Sequence, residues 1–178
     1  MENDRITRLR SFLTDKQVEA VIITKNENVH YFSGFYGEES ALVITMDKEY
    51  LITDSRYIEQ AEQQSDFTVA EQKKGLLLKI SEIVKNMCVR HLAFEANALL
   101  YTDYSTLAEM MPSVNLSIPV NLDNLRVQKN EEEIKLIKKA VEISDKAFGH
   151  IIEFIRPGVS ENDIAAELEY TMRKLGSE

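Results

Sequence analysis

The chain has 178 residues, with histidines at 30, 91 and 150 and a single cysteine, Cys88. Metal cages and Cys-His pairs are recognised in a sequence by ligands a few residues apart. These side chains are far from one another, which argues against a local metal centre or a thiol nucleophile beside its base. His150 and Glu153 share a helical face at i and i+3. Di-iron bundles use the reverse order and draw further carboxylates from other helices. The pair therefore reads as the polar edge of an amphipathic helix. Glu131, Glu132 and Glu133 read as the acidic first turn of a helix, favoured by its dipole by about 0.3–1 kcal/mol per charge. Gly34-Phe-Tyr-Gly37 lacks the spacing and the lysine of a phosphate loop. Ser33 and Ser40 have no identifiable histidine–carboxylate set.

Binding chemistry is better represented. Tyr31, Phe32, Phe35 and Tyr36 crowd into six positions beside Gly34 and Gly37, more aromatic surface than one buried strand requires. Tyr31 and Phe32 read as core. Phe35 and Tyr36 are the candidates for a cleft or an interface. Asp54, Arg56 and Tyr57 lie at a strand-to-helix corner. Their first reading is structural, with Asp54 and Ser55 as caps and Asp54 paired to Arg56. Their functional reading puts Arg56 and Tyr57 on the border of a substrate pocket. His30 reads as a structural histidine in an apolar strand, with a place on the same cleft as the alternative.

Composition narrows the partners. Acidic residues outnumber basic ones 30 to 21, a net charge of -9, which argues against a nucleic-acid surface. Hydrophobic residues make up 44%, enough for a real core. No apolar run reaches membrane-spanning length, and the N-terminus carries no signal-peptide core. Cys88 lies in the amphipathic run Ile83-Val-Lys-Asn-Met-Cys-Val89. It reads as a buried, inert thiol in a reduced, cytoplasmic setting.

The elements that would position these residues follow from periodicity. Ile6, Leu9, Phe12 and Leu13 mark a first helix, capped by Asn3 or Asp4. Val18–Thr24 is apolar and β-branched, as in a strand covered on both faces. Residues 40–46 and 49–54 form a hairpin about Asp47-Lys48, whose turn chemistry is imperfect because a type I′ turn prefers glycine second. A short helix from Ser55 to Gln64 turns Tyr57, Ile58 and Ala61 inward. A strand at 67–70, a helix striped by Leu76, Ile80, Val84 and Met87, a strand at 91–95 and a helix at 101–111 follow. A last strand over 115–120 contains Pro119 and so belongs at a sheet edge. The alternation predicts an α/β fold with a mixed sheet. The final third predicts two helices. The first starts at the capping sequence Asn130–Glu133 and is striped by Ile134, Ile137, Val141, Ala147, Phe148, Ile151 and Ile155. Pro157-Gly158 ends it. The second opens at Ser160, is lined by Ile164, Leu168, Met172 and Leu175, and stops at Gly176. Stripes this wide require a covering surface.

Four segments, in order, resemble the creatinase/prolidase family. Asn28-Val-His-Tyr-Phe-Ser-Gly-Phe35 and Leu51-Ile-Thr-Asp-Ser-Arg-Tyr57 resemble two segments of its N-terminal domain. Leu125-Arg-Val-Gln-Lys-Asn-Glu-Glu-Glu-Ile134 resembles the junction where its catalytic domain begins. Ile155-Arg-Pro-Gly158 with 161–175 resembles that domain's next helix. The resemblance implies an N-terminal mixed α/β domain over 1–124. Over 125–178 it implies the opening helices of a "pita-bread" catalytic domain.

It also implies a parent enzyme of Xaa-Pro dipeptidase (prolidase) or aminopeptidase P type, a proline-specific metallopeptidase. Such an enzyme uses two divalent metal ions, manganese among the suitable ones, to activate a bridging water and polarise the scissile carbonyl. The family's five ligands are two aspartates, a histidine and two glutamates, all from beyond the second helix. No catalytic residue and no metal ligand is therefore assigned here, no cofactor is expected in this chain, and the chain alone is expected to be inactive. Phe35, Tyr36, Arg56, Tyr57 and His30 are the cleft or interface candidates. The partners implied are short Xaa-Pro peptides and a second subunit in a dimer. A creatinase-like C–N hydrolase and a stand-alone dimerising α/β module are the alternatives.

Overall fold

A computed structural model describes residues 2–177, with side chains from Asp4 onward. The chain divides into two compact units, Met1–Val127 and Gln128–Glu178.

In the first unit the elements run α1 (Glu2–Asp15), β1 (Ala20–Ile23), α2 (Asn26–Ser33), β2 (Ala41–Thr45), β3 (Glu49–Thr53), α3 (Ile58–Gln64) and β4 (Thr68–Glu71). They continue with α4 (Leu76–Asn86), β5 (His91–Glu95), α5 (Tyr101–Met110), β6 (Asn115–Val120) and a 3-10 turn (Asp123–Arg126). The six strands form one sheet in the order β4-β3-β2-β1-β5-β6. β2 is antiparallel to both neighbours, and every other pairing is parallel. The mixed α/β sheet expected from the sequence is what forms.

Each face of the sheet carries a core. Successive side chains of β1 alternate between them, so Val21 and Ile23 join Leu9, Leu13 and Phe32, while Ala20 and Ile22 join Ile80, Leu92 and Leu107. All four β1 residues are buried, which explains their unbroken apolar character. Pro119 lies in the edge strand β6. In the hairpin, the Thr45 hydroxyl accepts from the Lys48 N–H (2.9 Å) and donates to Asp47 (2.8 Å), and neither Asp47 nor Lys48 takes the positive φ of a type I′ turn.

Four readings are corrected. Residues 28–33 are helical in α2, not a strand; Asn28, Val29, Tyr31, Phe32 and Ser33 are buried there. A short helix buried around most of its girth reads like a buried strand. Asn3 and Asp4 fall inside α1 rather than ahead of it. Ser55 does not cap α3, which begins three residues later after Tyr57. Cys88 is exposed, because α4 has already ended and the backbone turns left-handed there (φ 54°).

The second unit is a pair of helices, α6 (Glu131–Phe154) and α7 (Glu161–Lys174). Both open with reciprocal capping boxes, Asn130 with Glu133 and Ser160 with Asp163. Ala147 and Ile151 are buried, and His150 Nε2 meets Glu167 Oε1 at 2.6 Å across the two helices. His150 thus pairs across to α7 rather than with Glu153. Ile134, Ile137, Val141, Phe148 and Ile152, continued by Ile155 just past the helix end, form a second apolar stripe that stays 41–64% exposed.

Candidate functional site

The candidate residues are organised around α2. No side chain of its own first turn caps this helix. The cap comes from Glu95 at the end of β5, a fully buried carboxylate. Its Oε2 accepts from the backbone N–H groups of Thr24 (2.8 Å) and Lys25 (2.9 Å), and its Oε1 accepts from the Asn28 amide. A negative charge at the N-terminus also suits the helix dipole. Asp123 adds a second anchor. It accepts from Lys25 Nζ on both oxygens (2.8 and 2.7 Å), from Arg126 (3.0 Å) and from Asn97 (3.1 Å). Hydrogen bonds from Lys25 and Arg126 pull its carboxyl down to about 2.

At the other end, Gly34 takes the left-handed conformation (φ 74°) and its N–H caps the His30 carbonyl. Glycine adopts that backbone without a Cβ clash. The chain then reverses, sending Phe35 into the core and Tyr36 out to solvent. Tyr36 is tied to α3: its N–H donates to Gln64 Oε1 (2.9 Å) and its carbonyl accepts from the Gln60 amide.

Here the sequence-predicted residues converge. An open cleft of about 410 Å³ is lined by His30, Phe35, Tyr36 and Tyr57, with Asn26, Gly37 and Glu38 completing it. The Tyr36 and His30 rings stack at 3.6 Å, and Phe35 meets Tyr57 edge-on at 6.2 Å. Phe35 is only 1% exposed and forms the floor, whereas Tyr36 is 68% exposed and forms a free wall. Arg56 does not line the cleft. It lies over the Tyr57 ring at 5.3 Å and forks onto Asp54 (2.6 and 3.0 Å). That fork holds the Asp54 carboxyl below its usual range.

Burial pushes the His30 imidazole below its usual range, and the Arg5 charge adds to this. Backbone contacts with Gly34 and Phe35 offset only part of it. His30 Nδ1 is buried without a hydrogen-bond partner. The cleft is thus an aromatic and neutral-imidazole surface with one carboxylate and one amide at its rim. It can hold an apolar group, and it contains no nucleophile beside a base. Among the described residues no three His, Cys, Asp or Glu side chains are grouped to hold a metal ion. These residues do not fit a two-metal centre. No described helix is long and apolar enough to cross a membrane.

The Glu95 and Asp123 anchors were missed by sequence reasoning. One signal was present: Glu95 is a charged residue closing the apolar strand His91-Leu-Ala-Phe-Glu95.

Comparison with known proteins gives the site its context. Residues 5–128 match the creatinase/prolidase N-terminal domain, and residues 135–178 match metallopeptidase family M24. The uncharacterised peptidase YqhT of Bacillus subtilis is 36% identical over 98% of this chain and 50% of its own length. An Xaa-Pro dipeptidase structure from Bacillus anthracis superposes with a TM-score of 0.91 at 33% identity, covering 99% of this chain and 50% of that one. An X-Pro aminopeptidase structure from Thermotoga maritima gives 0.83 at 35% identity, covering 91% and 48%. The chain spans about half the length of the curated relatives it matches. With its mixed sheet and its match over 5–128, the chain belongs to the creatinase/prolidase N-terminal domain family, continued here into the start of metallopeptidase family M24.

Proposed function

We propose that this chain forms the N-terminal, non-catalytic part of a metal-dependent Xaa-Pro peptidase of prolidase or aminopeptidase P type. It supplies a wall of the substrate cleft and contacts to a second subunit. The observation that carries this reading is the convergence of His30, Tyr36 and Tyr57 on one open cleft, inside the unit that matches the family's N-terminal domain. An aromatic wall with a neutral imidazole suits an apolar residue of a short peptide and offers nothing to cleave it. The metal ions, with manganese as the first candidate, would be held by residues outside those described, so no catalytic step is assigned to this chain. The exposed apolar stripe of α6 supports a covering surface on a longer or associated protein. The single cysteine supports a cytoplasmic setting, and a homodimer is the assembly proposed.

The test is direct. Purified chain with added manganese is expected not to hydrolyse Ala-Pro or Ala-Pro-Ala. Appreciable proline-specific hydrolysis would overturn the non-catalytic reading. Reading the source gene past codon 178 is expected to reveal two aspartates, a histidine and two glutamates in one following domain. A continuing frame without them would point instead to a creatinase-like hydrolase.

A further inference from the structure

α2 has two working faces. Asn26 and His30, at i and i+4, line the cleft. Asn28, about 200° around the helix axis from both at 3.6 residues per turn, and Tyr31, about 100° on from His30, hold the segment that leads out of the first unit. Asn28 Nδ2 reaches Asp123 Oδ1 at 3.4 Å. The Tyr31 hydroxyl donates to the Leu125 carbonyl at 3.0 Å and accepts from Arg8 at 2.9 Å. Lys25, at the N-cap, adds its ion pair to Asp123 at 2.7 Å. Between these faces Val29 and Phe32 are locked in the core, 1% and 0% exposed. α2 is a single eight-residue helix, so the contacts on both faces together fix one orientation.

We propose that Asp123 and Tyr31 are positioning residues for the His30–Tyr36 wall, acting on it through α2 without touching it. This rests on the reading of that cleft as a substrate wall. The consequence is that the segment 123–126 and the cleft form one mechanical element: the geometry of the wall depends on how that segment is held. Neither residue lines the cleft, so a role limited to stability would leave the stacked pair unchanged in the folded protein.

The test is proton NMR of the full chain, reading the His30 Hε1 resonance, which stacking on Tyr36 moves away from its free value. Asp123→Asn combined with Tyr31→Phe is expected to abolish most of that displacement while far-UV circular dichroism stays folded. Tyr31→Phe alone, which removes a single hydroxyl, is expected to give a smaller change in the same direction and remains readable if the double variant unfolds. Asp54→Asn, a change outside the cleft lining, is expected to leave the resonance in place. A folded Tyr31→Phe or double variant with an unmoved His30 resonance would overturn the proposal. Titrating the unaltered chain with Ala-Pro tests the underlying reading separately. Resonances of His30 and Tyr36 that ignore the peptide would sink the substrate-wall reading, while the variant comparison would still decide the coupling.

Discussion

Glu95 and Asn28 lie 67 residues apart, and in the core of the first unit the Asn28 amide donates to the Glu95 carboxylate. The same carboxylate takes the backbone N–H groups of Thr24 and Lys25. One strand-end side chain therefore closes the entrance of α2. Glu95→Ala would take the shared acceptor from the part-buried N–H groups of Thr24 and Lys25 and leave the buried Asn28 amide only its longer contact to Asp123, each loss worth about 1–3 kcal/mol. The expected loss is about 3–5 kcal/mol by urea unfolding, with Glu95→Gln less damaging because it keeps the shape and one oxygen. A loss under about 1 kcal/mol for Glu95→Ala would show that the cap contributes little.

The floor of the cleft is sensitive to a single methyl group. A Cβ on Gly37 would collide with the Phe35 ring. That ring is buried and packed edge-on against Tyr57, so it has little room to yield. Gly37→Ala is expected to cost about 1–3 kcal/mol, the usual range for overpacking. Near-ultraviolet circular dichroism should register the displaced aromatics. An unchanged spectrum and melting temperature would mean that the loop absorbs the methyl freely.

His30 sets a pH dependence. Its folded-state pKa is lowered from the ordinary 6.5, chiefly by burial. Between the lowered value and 6.5 the unfolded chain therefore binds more protons than the folded one, and stability rises with pH across that window. The contribution is fully present above 6.5 and is lost as pH falls through the lowered value. Arg5 opposes protonation, and Glu38 shares the cleft. Chemical unfolding at stepped pH should show this slope, and His30→Gln should flatten it. A slope unchanged in that variant would assign the effect to other groups.

Much of the fold was legible from pattern alone. The apolar run of β1, the stripe of α4, Pro119 at an edge and the caps Asn130 and Ser160 all express local rules, because strand alternation, helical period and capping chemistry act within a few residues. The readings that fail concern burial pattern and helix ends. α2 reads as a strand because five of its eight residues are buried, and Cys88 reads as buried because periodicity does not show where α4 stops.

The candidate site divides in the same way. Sequence alone offered Phe35 and Tyr36 as aromatic surface beyond what one buried strand requires, and Arg56, Tyr57 and His30 as cleft candidates beside a structural first reading. Tertiary structure decided their arrangement. The Gly34 turn and the Gln60 and Gln64 contacts bring Tyr36 over His30, the core takes Phe35 as a floor, and Asp54 draws Arg56 away from the cleft. Residue type and spacing determine local conformation and the side chains on offer. Which of them meet depends on contacts between segments far apart in the chain, such as Glu95 with Asn28 and Asp123 with Lys25, and those form only once the sheet has brought the ends of β1 and β5 side by side.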